Sequence, residues 1–127
     1  MPRIWTDYLE FLSVQHKYTL TRRTFDRALA FNSELVWDTS MVTSMSGTFY
    51  NAKAFNQALD WDTSSVTSMY NIFAVATAFN SELVWDTSAV TMMRETFLDA
   101  EAFNHPLAWD TSKVTSMWGT FDGANSF

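Results

Sequence analysis

Apolar and polar positions along this chain recur in one fixed register, with a 24-residue period. Phe31, Leu35, Trp37, Val42, Met45, Phe49 and Ala52 return as Phe55, Leu59, Trp61, Val66, Met69, Phe73 and Ala76. They return again as Phe79, Leu83, Trp85, Val90, Met93, Phe97 and Ala100, and once more as Phe103, Leu107, Trp109, Val114, Met117, Phe121 and Ala124. Within one unit, Leu35-x-Trp37 alternates with period two, which predicts a short strand. Val42, Met45, Phe49 and Ala52 follow at helix spacing, which predicts a short helix or helical turn. Asp38-Thr39-Ser40 lies between them. These residue types favour turns and helix N-caps, because their side-chain oxygens satisfy free backbone N–H groups. Val-Thr-Ser-Met also fits a second short strand, and periodicity alone leaves the two readings open.

Units of this kind bury their apolar side against their neighbours, the arrangement of a solenoid. The expected fold is therefore an α/β solenoid of four units, 31–54, 55–78, 79–102 and 103–126. Strands of successive units would lie about 4.8 Å apart. Trp37, Trp61, Trp85 and Trp109 would form a ladder through the core. Asn32, Asn56, Asn80 and Asn104 would form an amide ladder, each bonding backbone or the copy above it.

Residues 1–30 break the strict repeat. Ile4, Trp5, Tyr8, Leu9, Phe11 and Leu12 predict one amphipathic helix, and TRRTFDRALA predicts a second. Thr24, Phe25, Ala28, Ala30 and Phe31 sit one full period before Thr48, Phe49, Ala52, Ala54 and Phe55. The second helix thus takes the place of a repeat helix, and residues 1–30 are expected to cap the first unit. Phe127 matches Phe103 in register, so the last unit is expected to lie uncapped, an edge that favours self-association.

Charge separates the two segments. Residues 1–30 carry a net charge of +2 and residues 31–127 a net charge of −8. An acidic repeat body argues against contact with nucleic-acid phosphates, and Arg22, Arg23 and Arg27 read as a solvated helix face. The chain has no cysteine, which excludes disulfides and thiolate metal sites. Its start lacks an apolar signal region, and its longest uncharged run, 63–81, is too rich in Ser, Thr and Asn for a membrane span.

Candidate chemistry is sparse. The Asp column (Asp38, Asp62, Asp86, Asp110) offers one carboxylate per unit, which fits corner capping better than calcium ligation, so no metal or other cofactor is expected. The Thr39 and Thr43 columns are four residues apart, unlike the Thr-x-Thr arrays of ice-binding surfaces, and read as corner residues. The two histidines, His16 and His105, lie in different segments. Glu95, Asp99 and Glu101 have the spacing of a solvated helix face, and phosphate-loop and nucleophile motifs are absent. Catalysis is therefore not expected. Recognition would sit on the variable outward columns. One is Ser46, Tyr70, Arg94 and Trp118, whose aromatic and cationic members are types enriched at binding hot spots. The other is Val36, Asp60, Val84 and Ala108, in which Val36 and Val84 are unusually apolar for an exposed strand.

The string WDTSxVTSM…FxxAxAFN resembles the BspA-type leucine-rich-repeat region of bacterial surface proteins over about residues 31–127. The resemblance implies a right-handed leucine-rich-repeat-like coil used for adhesion or protein binding, without enzymatic activity. Trp-x-x-Tyr and Arg-x-Thr-Phe-Asp-Arg-Ala-Leu in residues 1–30 resemble a single half-a-tetratricopeptide (HAT) repeat of pre-mRNA-splicing scaffold proteins. That implies an alternative role as an intracellular RNA-processing scaffold. A truncated gene product is the third reading.

Overall fold

The structure is a computed structural model, and it describes residues 22–127. Among these residues there is no α-helix and no β-strand. Each repeat unit is instead a chain of tight turns followed by an extended, unpaired segment, and the units stack in register. Regular pairing is limited to isolated parallel bridges, Ser44 with Ser68, Ser68 with Met92, and Met92 with Ser116. The expected α/β solenoid with its right-handed leucine-rich-repeat-like coil is therefore overturned. So is the two-helix cap: residues 22–30 form turns, while the first expected helix lies outside the described residues.

The turn half explains why a helix was expected and why none forms. Thr48 N–H donates to Met45 C=O at 3.1 Å, Tyr50 N–H to Gly47 C=O at 3.1 Å and Ala52 N–H to Phe49 C=O at 3.0 Å. The intervening odd-numbered residues donate out of the unit. Met45, Gly47, Phe49 and Asn51 bond to the carbonyls of Ser68, Tyr70, Ile72 and Ala74 at 2.7–3.0 Å. Every second N–H thus closes a local turn, and the others join the unit to the next.

The third residue of every alternate four-residue turn (45–48 and 49–52 in one unit, 69–72 and 73–76 in the next) has positive φ: Gly47 at 67° and Asn51 at 56°, then Asn71 at 43° and Val75 at 60°. This is the signature of type II turns. A left-handed residue every fourth position is incompatible with an α-helix. Yet the same four-residue step places Met45 and Phe49 on one side, so the apolar spacing imitates a helix. Arg23, at φ 64°, and Arg27, at 57°, occupy these positions in the first turn row. Their N–H groups donate to Ser46 and Tyr50, so residues 22–30 extend the stack as one more row of turns.

The other half of the unit is joined differently. Successive rings of the Phe25–Phe49–Phe73–Phe97–Phe121 column lie 5.4–5.6 Å apart. Successive rings of the Trp column lie 6.2–6.4 Å apart, nearly parallel. Direct backbone pairing needs about 4.8 Å, so on the Trp side the longer gap is bridged by side chains. Asn32 Oδ1 accepts from Asn56 N–H at 2.8 Å, and Asn56 and Asn80 repeat the bond to Asn80 and Asn104. Trp85 Nε1 donates to Leu59 C=O at 3.0 Å, and Trp61 Nε1 to Leu35 C=O at 3.4 Å. Thr39, Thr63 and Thr87 donate Oγ1 to the carbonyls of Asp62, Asp86 and Asp110 at 2.9–3.0 Å. The amide rungs sit at the surface rather than in the core, since all four Asn residues are exposed.

Between the two halves lies one continuous core. At each unit boundary the Phe that opens the next unit packs face to face on the last Phe of the unit before, as in Phe49–Phe55 at 4.1 Å and Phe73–Phe79 at 4.0 Å. Met45, Met69 and Met93, with Val42, Val66 and Val90, fill the space beside these rings and are buried.

Two stability tests follow. Thr63→Val keeps the shape but removes one rung, and should lower unfolding free energy by about 1 kcal/mol in a denaturant titration. Val75 is β-branched at positive φ, a conformation that costs roughly 1–2 kcal/mol. Val75→Gly, matching Gly123 of the same column, should raise stability by about 1 kcal/mol once strain relief is set against glycine entropy. A drop in midpoint for Val75→Gly would show that the Val side chain contributes more by packing than its backbone loses by strain.

Candidate functional site

The outward column on the turn side begins one unit earlier than the repeat suggested. Arg22 precedes Ser46, Tyr70, Arg94 and Trp118 at the same repeat step. Ser46, Tyr70, Arg94 and Trp118 occupy the second position of their type II turns, where the side chain leaves the stack. Along this column runs a groove of about 470 Å³ lined by Arg22, Arg23, Ser46, Ser68, Tyr70, Asn71, Met92 and Arg94.

Its floor depends on glycine. A Cβ at Gly47 would sit 2.8 Å from Arg23 Cγ, and Gly47 has positive φ. The missing side chain therefore lets the Arg23 stem cross the turn row. Hydroxyls line the wall: Ser46 Oγ lies 3.1 Å from Ser44 Oγ and 2.9 Å from Ser68 Oγ. Arg94 closes one end. Its guanidinium lies 4.7 Å from the centroid of the Trp118 ring and its Nε is 3.3 Å from Glu95 Oε1. Arg23 pairs with Asp26 at 3.6 Å.

Of the residues singled out from sequence, Tyr70 and Arg94 line the groove, and Trp118 adjoins it through Arg94. Trp118 is 65% exposed, a large aromatic surface in water. Val36 and Val84 are 84% and 85% exposed but lie outside the groove. Asp60 stands between them in their column, so they form no continuous apolar patch. Arg22 and Arg23 were missed, because they read as one face of a helix. Extending the period back by one unit would have found Arg22. Glu95 and Asp99 likewise sit at positive-φ turn positions, at 57° and 53°, and not on a helix face.

The remaining polar columns are occupied in holding the stack together. The Thr67, Thr91 and Thr115 hydroxyls each donate to the carbonyl of the preceding copy at 3.1–3.2 Å. His105 Nε2 lies 3.0 Å from Asn80 C=O, where Gln57 Nε2 meets Asn32 C=O in an earlier unit. Each Asp of the acidic column turns back on the Ser two residues later. Asp62 Oδ1 accepts from Ser64 N–H at 3.0 Å and from Ser64 Oγ at 2.6 Å. The two Ser64 bonds, the side-chain one foremost, hold the Asp62 carboxyl below the usual carboxylate range against repulsion from Asp38 and Asp86. Ser88 and Ser112 lower Asp86 and Asp110 in the same way, chiefly through their backbone N–H groups. Among the described residues no three His, Cys, Asp or Glu side chains converge as a metal site, and no helix is long and apolar enough to cross a membrane.

Comparison with known proteins agrees with the repeat body. Residues 19–127 match the family described as Mycoplasma protein of unknown function, DUF285, and the chain belongs to that family. A 29-residue stretch is 72% identical to pre-mRNA-splicing factor SYF1 of Dictyostelium discoideum and 66% identical to SYF1 of Homo sapiens. That stretch is 23% of this chain, and it spans only 3% of the length of those relatives. No solved structure matches the chain.

The Asp–Ser corners give a test by acid titration. Carboxyls held below their ordinary value add stability that is complete above about pH 4 and is lost as pH falls through their lowered values. The melting temperature should therefore decline below about pH 4. Ser64→Ala should raise the Asp62 value, read by carboxyl NMR titration, toward that of an ordinary aspartate. An unchanged Asp62 titration would show that the Ser64 hydroxyl is not what holds it down.

Proposed function

We propose that this DUF285 protein is a non-catalytic protein-binding module that contacts its partner along the turn-side column of Tyr70, Arg94 and Trp118. The observation that carries the reading is the groove beside Tyr70 and Arg94, where aromatic and guanidinium groups are gathered on an otherwise acidic chain. Such side chains supply large, desolvatable contact area and directional hydrogen bonds, the features of interface hot spots. The Asn, Thr and Asp columns spend their hydrogen-bonding groups on the stack, which leaves this column to carry recognition chemistry. Cell-surface adhesion, implied by the BspA-type resemblance, is the setting this reading favours. The net charge of −8 over residues 31–127 weighs against nucleic acid as the partner.

A splicing-scaffold role is the second reading, supported by the 29-residue SYF1 match. It draws on a small fraction of that relative, whereas the family match spans residues 19–127.

The test is site-specific photo-crosslinking in source cells, with a photoreactive phenylalanine analogue at Tyr70 or, in a parallel sample, at Val36. Crosslinks to one protein from position 70 and none from position 36 are expected. Equal capture from both positions, or none from position 70, would sink the turn-side reading. Capture of spliceosomal proteins would move the assignment to the second.

A further inference from the structure

We infer that the groove takes an extended acidic peptide segment, with two carboxylates about four residues apart, bound between Arg22 and Arg94. This names a partner class for the protein-binding reading above and rests on it.

The argument begins with charge. Of the eight Lys and Arg residues in the chain, Arg22, Arg23 and Arg94 line this one groove, and none of the described residues that line it is acidic. Arg22 has no ion pair among the described residues, so its guanidinium is available to a ligand. The pairs made by Arg23 and Arg94 have side-chain exposures of 61% and 48% on the arginine side. Each guanidinium touches its carboxylate through one nitrogen, Nη1 in Arg23 and Nε in Arg94, and a guanidinium has five N–H donors, so its free edge can take a ligand carboxylate while the existing pair is kept. Planar guanidinium groups match carboxylates in two-pronged geometry.

Spacing follows from the fold. Arg22 and Arg94 stand three units apart in one column, on the side where the units are joined by direct backbone bonds. Three steps, of about 4.8 Å for hydrogen-bonded backbones and 5.4–5.6 Å for the Phe rings of the same side, give roughly 14–17 Å, a gap the long arginine side chains can shorten. An extended peptide advances about 3.3 Å per residue, so side chains four residues apart are separated by roughly 13 Å. Between the two ends, Tyr70 and Met92 offer apolar contact, and the Ser46 and Ser68 hydroxyls offer partners to peptide N–H and C=O groups. A phosphate-rich nucleic acid would also seek arginines, but it carries a charge on every nucleotide, so its repulsion by the acidic body grows with its length, whereas the peptide carries its two charges only where the arginines stand.

The experiment is an NMR titration of the full chain with synthetic Ser/Gly peptides. One carries two Glu residues four apart, another two Glu residues two apart, and a third Gln in place of both Glu residues at the four-apart positions. The four-apart Glu peptide should bind most tightly, with shifts centred on Tyr70 and Arg94. Replacing Glu by Gln should weaken binding about tenfold, the effect of losing charge-assisted bonds. Raising the salt should weaken it further. Arg22→Ser and Arg94→Ser install the residue the column already carries at Ser46, so the turns should tolerate them. Each should cost about tenfold in affinity with an unchanged melting temperature, and Val36→Ser should change nothing. Equal binding of the Glu and Gln peptides overturns the inference. So does absence of Glu-peptide binding, and if crosslinks from position 70 persist in that case, the protein-binding reading survives and only the acidic partner is lost. A single-stranded oligonucleotide that displaces the Glu peptide at physiological salt would overturn the choice of a peptide.

Discussion

Everything in this molecule hangs on the backbone bond from each odd-numbered turn residue to a carbonyl of the next unit. Met45, Gly47, Phe49 and Asn51 make it to Ser68, Tyr70, Ile72 and Ala74, and the same register runs from Arg23 to Asp122. For it to form, alternate N–H groups must point along the stack. That requires a left-handed residue every fourth position, hence glycine or asparagine at residues 47, 51, 71, 119 and 123. Where the column carries Val75 instead, the stack imposes the conformation and the residue bears the strain. One hydrogen-bonding constraint thus sets the local backbone, the spacing of the units and the alignment of three aromatic columns.

The signature residues of the repeat follow from the opposite side of the stack. There the units lie too far apart for backbone pairing, and Asn, Trp and Thr reach across the gap. Phe-Asn and Trp-Asp-Thr-Ser are best understood as a set of rungs: Asn32 to the next Asn N–H, Trp61 back to Leu35, Thr39 forward to Asp62, with Asp38 closing its own corner on Ser40. A motif that looks like a recognition string is the part of each unit most fully committed to structure. The second position of the turns that begin at Met45, Met69, Met93 and Met117 lies outside this set of rungs, and its outward side chain varies from Ser46 to Tyr70, Arg94 and Trp118.

That division of labour gives the groove its character. The turn row supplies a flat, regularly spaced backbone, Gly47 leaves room for the Arg23 stem, and successive units present different side chains at fixed intervals. On the proposed reading, an extended ligand would be met position by position. The spacing of these side chains is set by the stacking repeat.

By itself the sequence determined the repeat unit, its inward residues and the variable column containing Tyr70 and Arg94, because identical residues in register must occupy equivalent places whatever their conformation. It also pointed to the Asp corners, since Asp followed two residues later by Ser is a local interaction. It did not determine the secondary structure. An apolar residue every three or four positions satisfies both a helix and a row of type II turns, and only bonds between neighbouring units choose between them. Leu35-x-Trp37 alternates like a strand, yet the wider spacing on that side denies it a partner. Arg22 and Arg23 looked like a helix face for the same reason, and only the stack placed them beside Tyr70. Short-range pattern fixes which side chains turn inward; the backbone path depends on where each N–H finds its acceptor, and here half of the turn-row acceptors lie in the neighbouring unit.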